Sequence, residues 1–264
     1  MFGLRHRRRE KWRQQPFPPA WLAIIEHNVP YYRRLTPEDQ RELLGDVQIF
    51  LAEKTFAGVE LEITDEIRVT IAAQACVLLL HRDTDYYPTM LSVVVYPHEY
   101  FVEARHRLPD GTVEEGVEAR LGESWHRGEV VLSWDDVQRD AADWTDGHNV
   151  VFHEFAHQLD GEFGPHDGAP ALPRREMFAE WSRVFTQEYE QLVDDVERHR
   201  PTVLRKYGAT NPAEFFAVTV EAFFEKSVAL RDQHPELYTQ LRSFFEQDPA
   251  AREDELARTP QKFN

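Results

Sequence analysis

Cysteine is almost missing from this chain. Among 264 residues there is one, Cys76, which excludes an intrachain disulfide and a thiolate zinc cluster. A reduced, cytoplasmic setting is therefore expected. Long apolar runs are lacking as well. The longest, Ala75 to Leu80, is far too short to span a bilayer. No secretory signal is expected, because Gln14, Gln15, Pro16, Pro18 and Pro19 stand where an apolar stretch would have to follow the basic start. Positive charge is scarce too. Lys and Arg total 30 against 47 Asp and Glu, a net charge of −17, which argues against direct nucleic-acid binding by the surface as a whole. Internal repeats and low-complexity linkers are absent.

The start of the chain runs against this acidic balance. Arg5, Arg7, Arg8, Arg9, Lys11 and Arg13 oppose only Glu10 locally. Such a run is expected to be a flexible, solvated arm over residues 1–20, with contact to an acidic partner or a membrane surface as its alternative use. The remaining chain is rich enough in apolar residues for a packed core. A single domain is expected over residues 21–248, helical at its N-terminal end, followed by a disordered tail over residues 249–264.

Local patterns predict the elements. Thr36-Pro37-Glu38-Asp39 reads as an N-cap, a proline at the first helical position and acids in the first turn. Val59 to Ile63 alternates as a short strand. Thr64-Asp65 opens a helix to Leu80 that is apolar nearly all round and hence buried. Leu91 to Tyr96 and Val130 to Ser133 read as strands. Pro109-Asp110-Gly111 reads as a hairpin turn. Helical periods return over residues 176–199, from Asn211 through Phe224, and over 235–245. Helices dominate and strands are few, so the class is α+β with a small mixed sheet.

The stretch that carries chemistry is His153-Glu154-Phe155-Ala156-His157. Two histidines four residues apart share one helix face, where one zinc ion can take both imidazoles. Glu154 lies at the edge of that face, in reach of a metal-bound water. This is the HExxH arrangement, with the glutamate as general base. The apolar residues Val150, Val151, Phe152, Phe155 and Leu159 predict a half-buried helix. It should stop near Asp160-Gly161.

A catalytic zinc needs three protein ligands and one open position. A third histidine ten residues after the first is excluded, because Phe163 stands there. His166 in the following loop could reach back. Asp160 suits orienting an imidazole or capping the helix better than binding metal. The stronger candidates are Glu214 and Glu221, seven residues apart and so on one face of the later helix. Glu214 also fits the third position of a capping box begun by Asn211. Glu221 also fits a salt bridge or hydrogen bond to a neighbouring element. Periodicity does not choose between them.

HEFAHQLD at 153–160 and YGATNPAEFFAVTVEAFF at 207–224 resemble the Mlc titration factor A family of bacterial zinc-dependent peptidases. LEITDEIRVTIAAQACVLLL at 61–80, DYYPTMLSVVVYP at 85–97 and VVLSWDDV at 130–137 resemble it too, so the likeness runs from about Pro16 to Pro249. A more distant likeness is to the catalytic domain of anthrax lethal factor, which shares the HEFxH helix and an AEFFA segment. The resemblance implies a zincin-like, gluzincin-type fold and one zinc per chain. It implies His153, His157 and Glu214 as zinc ligands, Glu154 as base and Tyr207 as donor to the oxyanion. It also implies a peptide or protein substrate, cleaved as an amino- or endopeptidase, and a transcriptional repressor as partner of particular members.

On that reading Glu154 takes the proton of the attacking water and passes it to the leaving amine. Tyr207 shares in stabilising the oxyanion. The strand Val130–Ser133 is expected to offer an edge along which an extended peptide could pair.

Overall fold

The segment that is apolar all round, Asp65 to Leu80, lies at the centre of the protein in the computed structural model, with Val69, Ile71, Ala75 and Val77 fully buried. The structure describes residues 2–98, 100–107, 113–120, 122–123, 128–162, 164, 167–172 and 174–258, and for residues 2–3, 100–107, 113–120 and 122–123 the backbone alone. The N-terminal part comprises α1 (Phe2–Arg13), α2 (Pro19–Asn28), α3 (Pro37–Glu53), β1 (Thr55–Gly58) and α4 (Asp65–Val77). The middle contributes β2 (Ser92–Tyr96), β3 (Tyr100–Arg107), β4 (Val113–Arg120), β5 (Gly122–Glu123), β6 (Glu129–Ser133) and α5 (Trp134–Ala142). Then follow α6 (Val150–Asp160), α7 (Met177–Glu197), α8 (Pro212–Glu225), α9 (Ser227–Gln233), α10 (Pro235–Phe245) and α11 (Pro249–Arg258). The fold is α+β and helix-rich.

Three strands run parallel in the order β1-β2-β6, and the short β5 adds antiparallel beyond β6. The outer side of β6 is therefore partly occupied, since Gly122 pairs with Leu132 and Glu123 with Val131. That corrects the expectation of a free edge at Val130–Ser133. A separate antiparallel hairpin joins β3 to β4. The turn expected at Pro109-Asp110-Gly111 lies outside the described residues.

The caps follow residue chemistry. Thr36 Oγ1 accepts from Asp39 N at 3.1 Å, and Thr64 Oγ1 from Ile67 N at 3.3 Å, each satisfying a helix N-terminal donor. The strand expected over Val59–Ile63 falls earlier, at Thr55–Gly58, paired with Ser92–Val95. The chain doubles back there: a Cβ at Gly58 would stand 1.9 Å from Leu61 O, and Glu60 has φ 55°. Alternation over 59–63 was present in sequence, but the pairing with β2 ends where Val59 N donates to Val95 O at 3.0 Å and the chain turns.

Both ends differ from expectation. The basic start forms α1, which packs across α3. Arg9 Nη2 pairs with Glu53 at 2.7 Å and Arg13 Nη2 with Asp46 at 2.7 Å. Arg13 Nη2 also donates to the Tyr86 hydroxyl at 2.6 Å. Asp46 and Tyr86 are buried, so the arginines meet acids and rings that are distant in sequence. The expected disordered tail begins with α11. Ala250 is fully buried, Arg252 pairs with Asp39 at 3.1 Å and Arg231 with Asp254 at 2.7 Å.

Two aromatic groups hold the helices that matter for function. Behind α6, Phe155 packs on Tyr87 and Phe50, with ring centroids 4.9 and 5.7 Å away, and Phe152 on Phe224 at 5.3 Å. Behind α8, Phe216 meets Trp181 and Phe244 at 6.0 and 6.1 Å. Burying each such ring contributes about 2–3 kcal/mol. These contacts lock α6 and α8, which meet through the Phe152–Phe224 pair and through the histidines of α6 and the glutamates of α8.

Candidate metal centre

Helix α6 begins at Asn149, whose Oδ1 accepts from Phe152 N at 2.9 Å. The helix ends at Gly161. Every residue of α6 is buried, more than the half-buried helix expected. Helix α8 begins at Asn211, whose Oδ1 accepts from Glu214 N at 3.0 Å, with Pro212 in the first turn. Asn211 and Pro212 start α8 without a reciprocal contact from the Glu214 side chain, which instead points at α6.

There it meets both histidines. Glu214 Oε2 lies 2.9 Å from His153 Nε2 and 3.4 Å from His157 Nε2, and the two Nε2 atoms are 3.3 Å apart. Among the described residues, His153, His157 and Glu214 form the one group of three or more His, Cys, Asp or Glu side chains suited to hold a metal ion. Tetrahedral zinc with ligands at about 2.0–2.2 Å separates neighbouring donor atoms by about 3.3–3.6 Å. The observed spacings are close to that. Two imidazoles and one carboxylate also leave a fourth position open, so the donor set fits zinc. This cluster is where the chain could hold a metal ion.

Glu221 takes a different position. Its Oε1 lies 2.7 Å from His153 Nδ1. Its Oε2 accepts from Asn149 N at 2.8 Å, and Arg205 Nη2 donates to both oxygens at 2.6 and 2.9 Å. Each ring nitrogen of His153 thus faces a different glutamate of α8. Burial opposes charge on this imidazole, but hydrogen bonds to Glu214 and Glu221 outweigh it and raise the His153 pKa. Burial lowers that of His157. Glu214 is drawn down to about 2 against burial by its two histidine partners. Burial likewise opposes ionisation of Glu221, and His153 with Arg205 keeps it low.

Glu154 is buried beside this group, and its charge acts on both His153 and Tyr207. Tyr207 sits on the short turn Lys206–Ala209, its ring 5.9 Å from that of His153 and 52% exposed. Partial burial, with Glu214 and Glu154 nearby, pushes its phenol up to about 12. It therefore keeps its proton at neutral pH and remains a donor.

Asp160 does not join the cluster. Its Oδ2 accepts from Gly168 N at 2.9 Å, and burial raises its pKa to about 6. Gly168 in turn lies against the start of α8: a Cβ there would stand 2.5 Å from Pro212 O. Asp160 thereby ties the loop after α6 to the helix that carries Glu214. His166 lies outside the described residues.

Sequence reasoning missed three contributors. Asn149 does more than cap α6, since its Nδ2 donates to Gln74 at 2.9 Å and Glu225 at 3.0 Å. Its position just before the motif helix was the available signal. Arg205 and Glu225 had none, because both act across elements.

Residues 4–246 match the family model of the glucose-regulated metallo-peptidases M90. The chain belongs to this family. An uncharacterised protein of Synechocystis is 44% identical over 239 residues, covering 89% of this chain and 86% of that protein. Mlc titration factor A of Klebsiella pneumoniae is 31% identical over 228 residues, covering 85% of each. That of Pectobacterium atrosepticum is 31% identical over 236 residues, covering 88% of this chain and 87% of its own length. Membership of a metallo-peptidase family implies a metal, and His153, His157 and Glu214 form a cluster that could hold it. Among the described residues, no helix is long and apolar enough to cross a membrane.

Proposed function

We propose that this chain is a zinc-dependent peptidase of gluzincin type and zincin-like fold, acting in the cytoplasm. The observation that carries the reading is the convergence of His153, His157 and Glu214, whose donor atoms all lie within 4.8 Å of one another, with Glu154 and Tyr207 beside them. His153, His157 and Glu214 are the ligands. Zinc, when bound, polarises the scissile carbonyl and acidifies water.

The chain's own residues do the rest. Glu154 accepts the proton of the attacking water on its carboxylate and returns it to the leaving amine. The Tyr207 hydroxyl donates to the oxygen on which negative charge develops. Glu221, held by Arg205 and Asn149 N, accepts from His153 Nδ1–H and so leaves the Nε2 lone pair for the metal. Burial of His153, His157, Glu214 and Glu221 keeps these groups rigid and largely dry.

The test is a peptide-library cleavage assay on zinc-loaded protein, with a chelator control. Chelator-sensitive cleavage is expected, and the cut positions distinguish amino- from endopeptidase action. No cleavage of any library member by zinc-loaded protein overturns the reading. A second role, binding a transcriptional repressor, is favoured by the relatives named Mlc titration factor A at 31% identity. Capture of a repressor by the Glu154→Gln variant from cell extract would support that role, and the cleavage assay remains the separate test of chemistry.

A further inference from the structure

Arg205, which grips Glu221, also lines a cleft of about 420 Å³. The polar wall of this cleft is made by His199, Arg200, Thr202, Arg205, Lys206 and Lys226, and no carboxylate side chain lines it. In a chain of net charge −17, such a concentration of basic groups runs against composition.

The cleft is built on fixed backbone. Arg200 N donates to Asp195 O at 2.8 Å at the end of α7, and the Arg200 side chain pairs with Asp194 and Asp195. The Thr202 hydroxyl donates to Leu204 O, tightening the turn. Arg205 is anchored on the buried Glu221. The two arginines are thus oriented by acids that stand outside the wall.

The two lysines are not anchored in this way. Lys206 and Lys226 have no carboxylate within 4.0 Å among the described residues. Lys226 is half-buried, its stem over Gly147. Lys226 and the exposed Lys206, neither facing a counter-charge, favour an anion. Two ammonium groups beside a guanidinium suit the several oxygens of a phosphate dianion. The volume falls in the range of sites for small organic molecules, about 300–1,000 Å³.

We propose that this cleft binds a phosphate dianion, borne by a small phosphoester or free in solution. The site is separate from the metal ligands; Arg205 links it to Glu221, the partner of His153, and Lys206 shares the short turn that carries Tyr207. It does not depend on the peptidase reading.

The experiment titrates inorganic phosphate, glycerol phosphate and an acidic peptide into zinc-loaded protein by calorimetry at constant ionic strength. Wild type is compared with Lys206→Gln/Lys226→Gln, with melting temperature as the check on folding. Wild type should bind a single equivalent, and each lysine lost should weaken binding about tenfold. Tighter binding of glycerol phosphate assigns the site to phosphoesters, and equal binding assigns it to phosphate itself. The exposed Lys206→Gln alone gives the same reading if the double variant is unstable. Absence of binding to wild type overturns the proposal. So does equal affinity in the variants, which would locate phosphate at the metal, and so does tighter binding of an acidic peptide than of either phosphate.

Discussion

His153 Nδ1 and Glu221 Oε1 lie 2.7 Å apart, while the other nitrogen of the same ring faces Glu214 at 2.9 Å. Two glutamates a double helical turn apart thus divide one imidazole between them. Glu214→Ala should lower zinc affinity by orders of magnitude, because it removes a ligand. Glu221→Ala should lower it by about 10–100-fold, the usual cost of losing a partner that orients a ligand. It should also destabilise the fold, since Asn149 N and Arg205 lose their acceptor. Competition with a chelator measures both constants, and a larger loss from Glu221→Ala than from Glu214→Ala would reverse the assignment.

Glu154→Gln should keep zinc and fold but lose turnover. The amide holds a water yet takes no proton from it. Peptide cleavage and bound zinc, measured on one preparation, check this, and wild-type turnover would move the base elsewhere.

Tyr207→Phe should reduce kcat with little change in KM. A donor that engages only the developing oxyanion costs about 3 kcal/mol when removed. Steady-state kinetics separate the two constants. Unchanged kcat would leave Tyr207 as a packing residue over His153.

Gly168→Ala should destabilise the protein by about 1–3 kcal/mol. Gly168 has φ +80°, and an added Cβ would meet the Pro212 carbonyl at 2.5 Å. The start of α8 would have to shift, moving Glu214 relative to the histidines. Denaturant unfolding together with zinc affinity tests this, and a variant normal in both would sink it.

Glu225 gives a pH dependence. Burial chiefly, with Glu221 and two aspartates nearby, raises its pKa to about 9 from an ordinary 4.5. The folded state therefore binds a proton that the unfolded state has released between those values. Its contribution is fully present below about 4.5 and is lost as pH rises toward 9. Glu225→Gln mimics the protonated acid and should be more stable than wild type at pH 9 by at least about 1 kcal/mol. Unfolding curves at pH 5 and pH 9 should show the gap opening only at the higher pH.

Local events were legible in the chain alone. The spacing of His153 and His157, the caps at Thr36, Thr64 and Asn211, and the all-apolar helix through Val69 and Ala75 rest on neighbours within a turn or two. One-dimensional patterns carry such information in full. Which distant groups meet depends on how the elements pack. Arg9 and Arg13 read as an unopposed basic run, because their partners Glu53, Asp85 and Asp46 lie 33–76 residues away. Glu214 and Glu221 share a face and a residue type, so periodicity treats them alike. They separate because α8 crosses α6 at one height, presenting the first turn to both Nε2 atoms and the third to Nδ1 of His153. That height is set by the aromatic packing behind both helices and by Gly168 between Asp160 and Pro212, contacts between segments that no local pattern encodes.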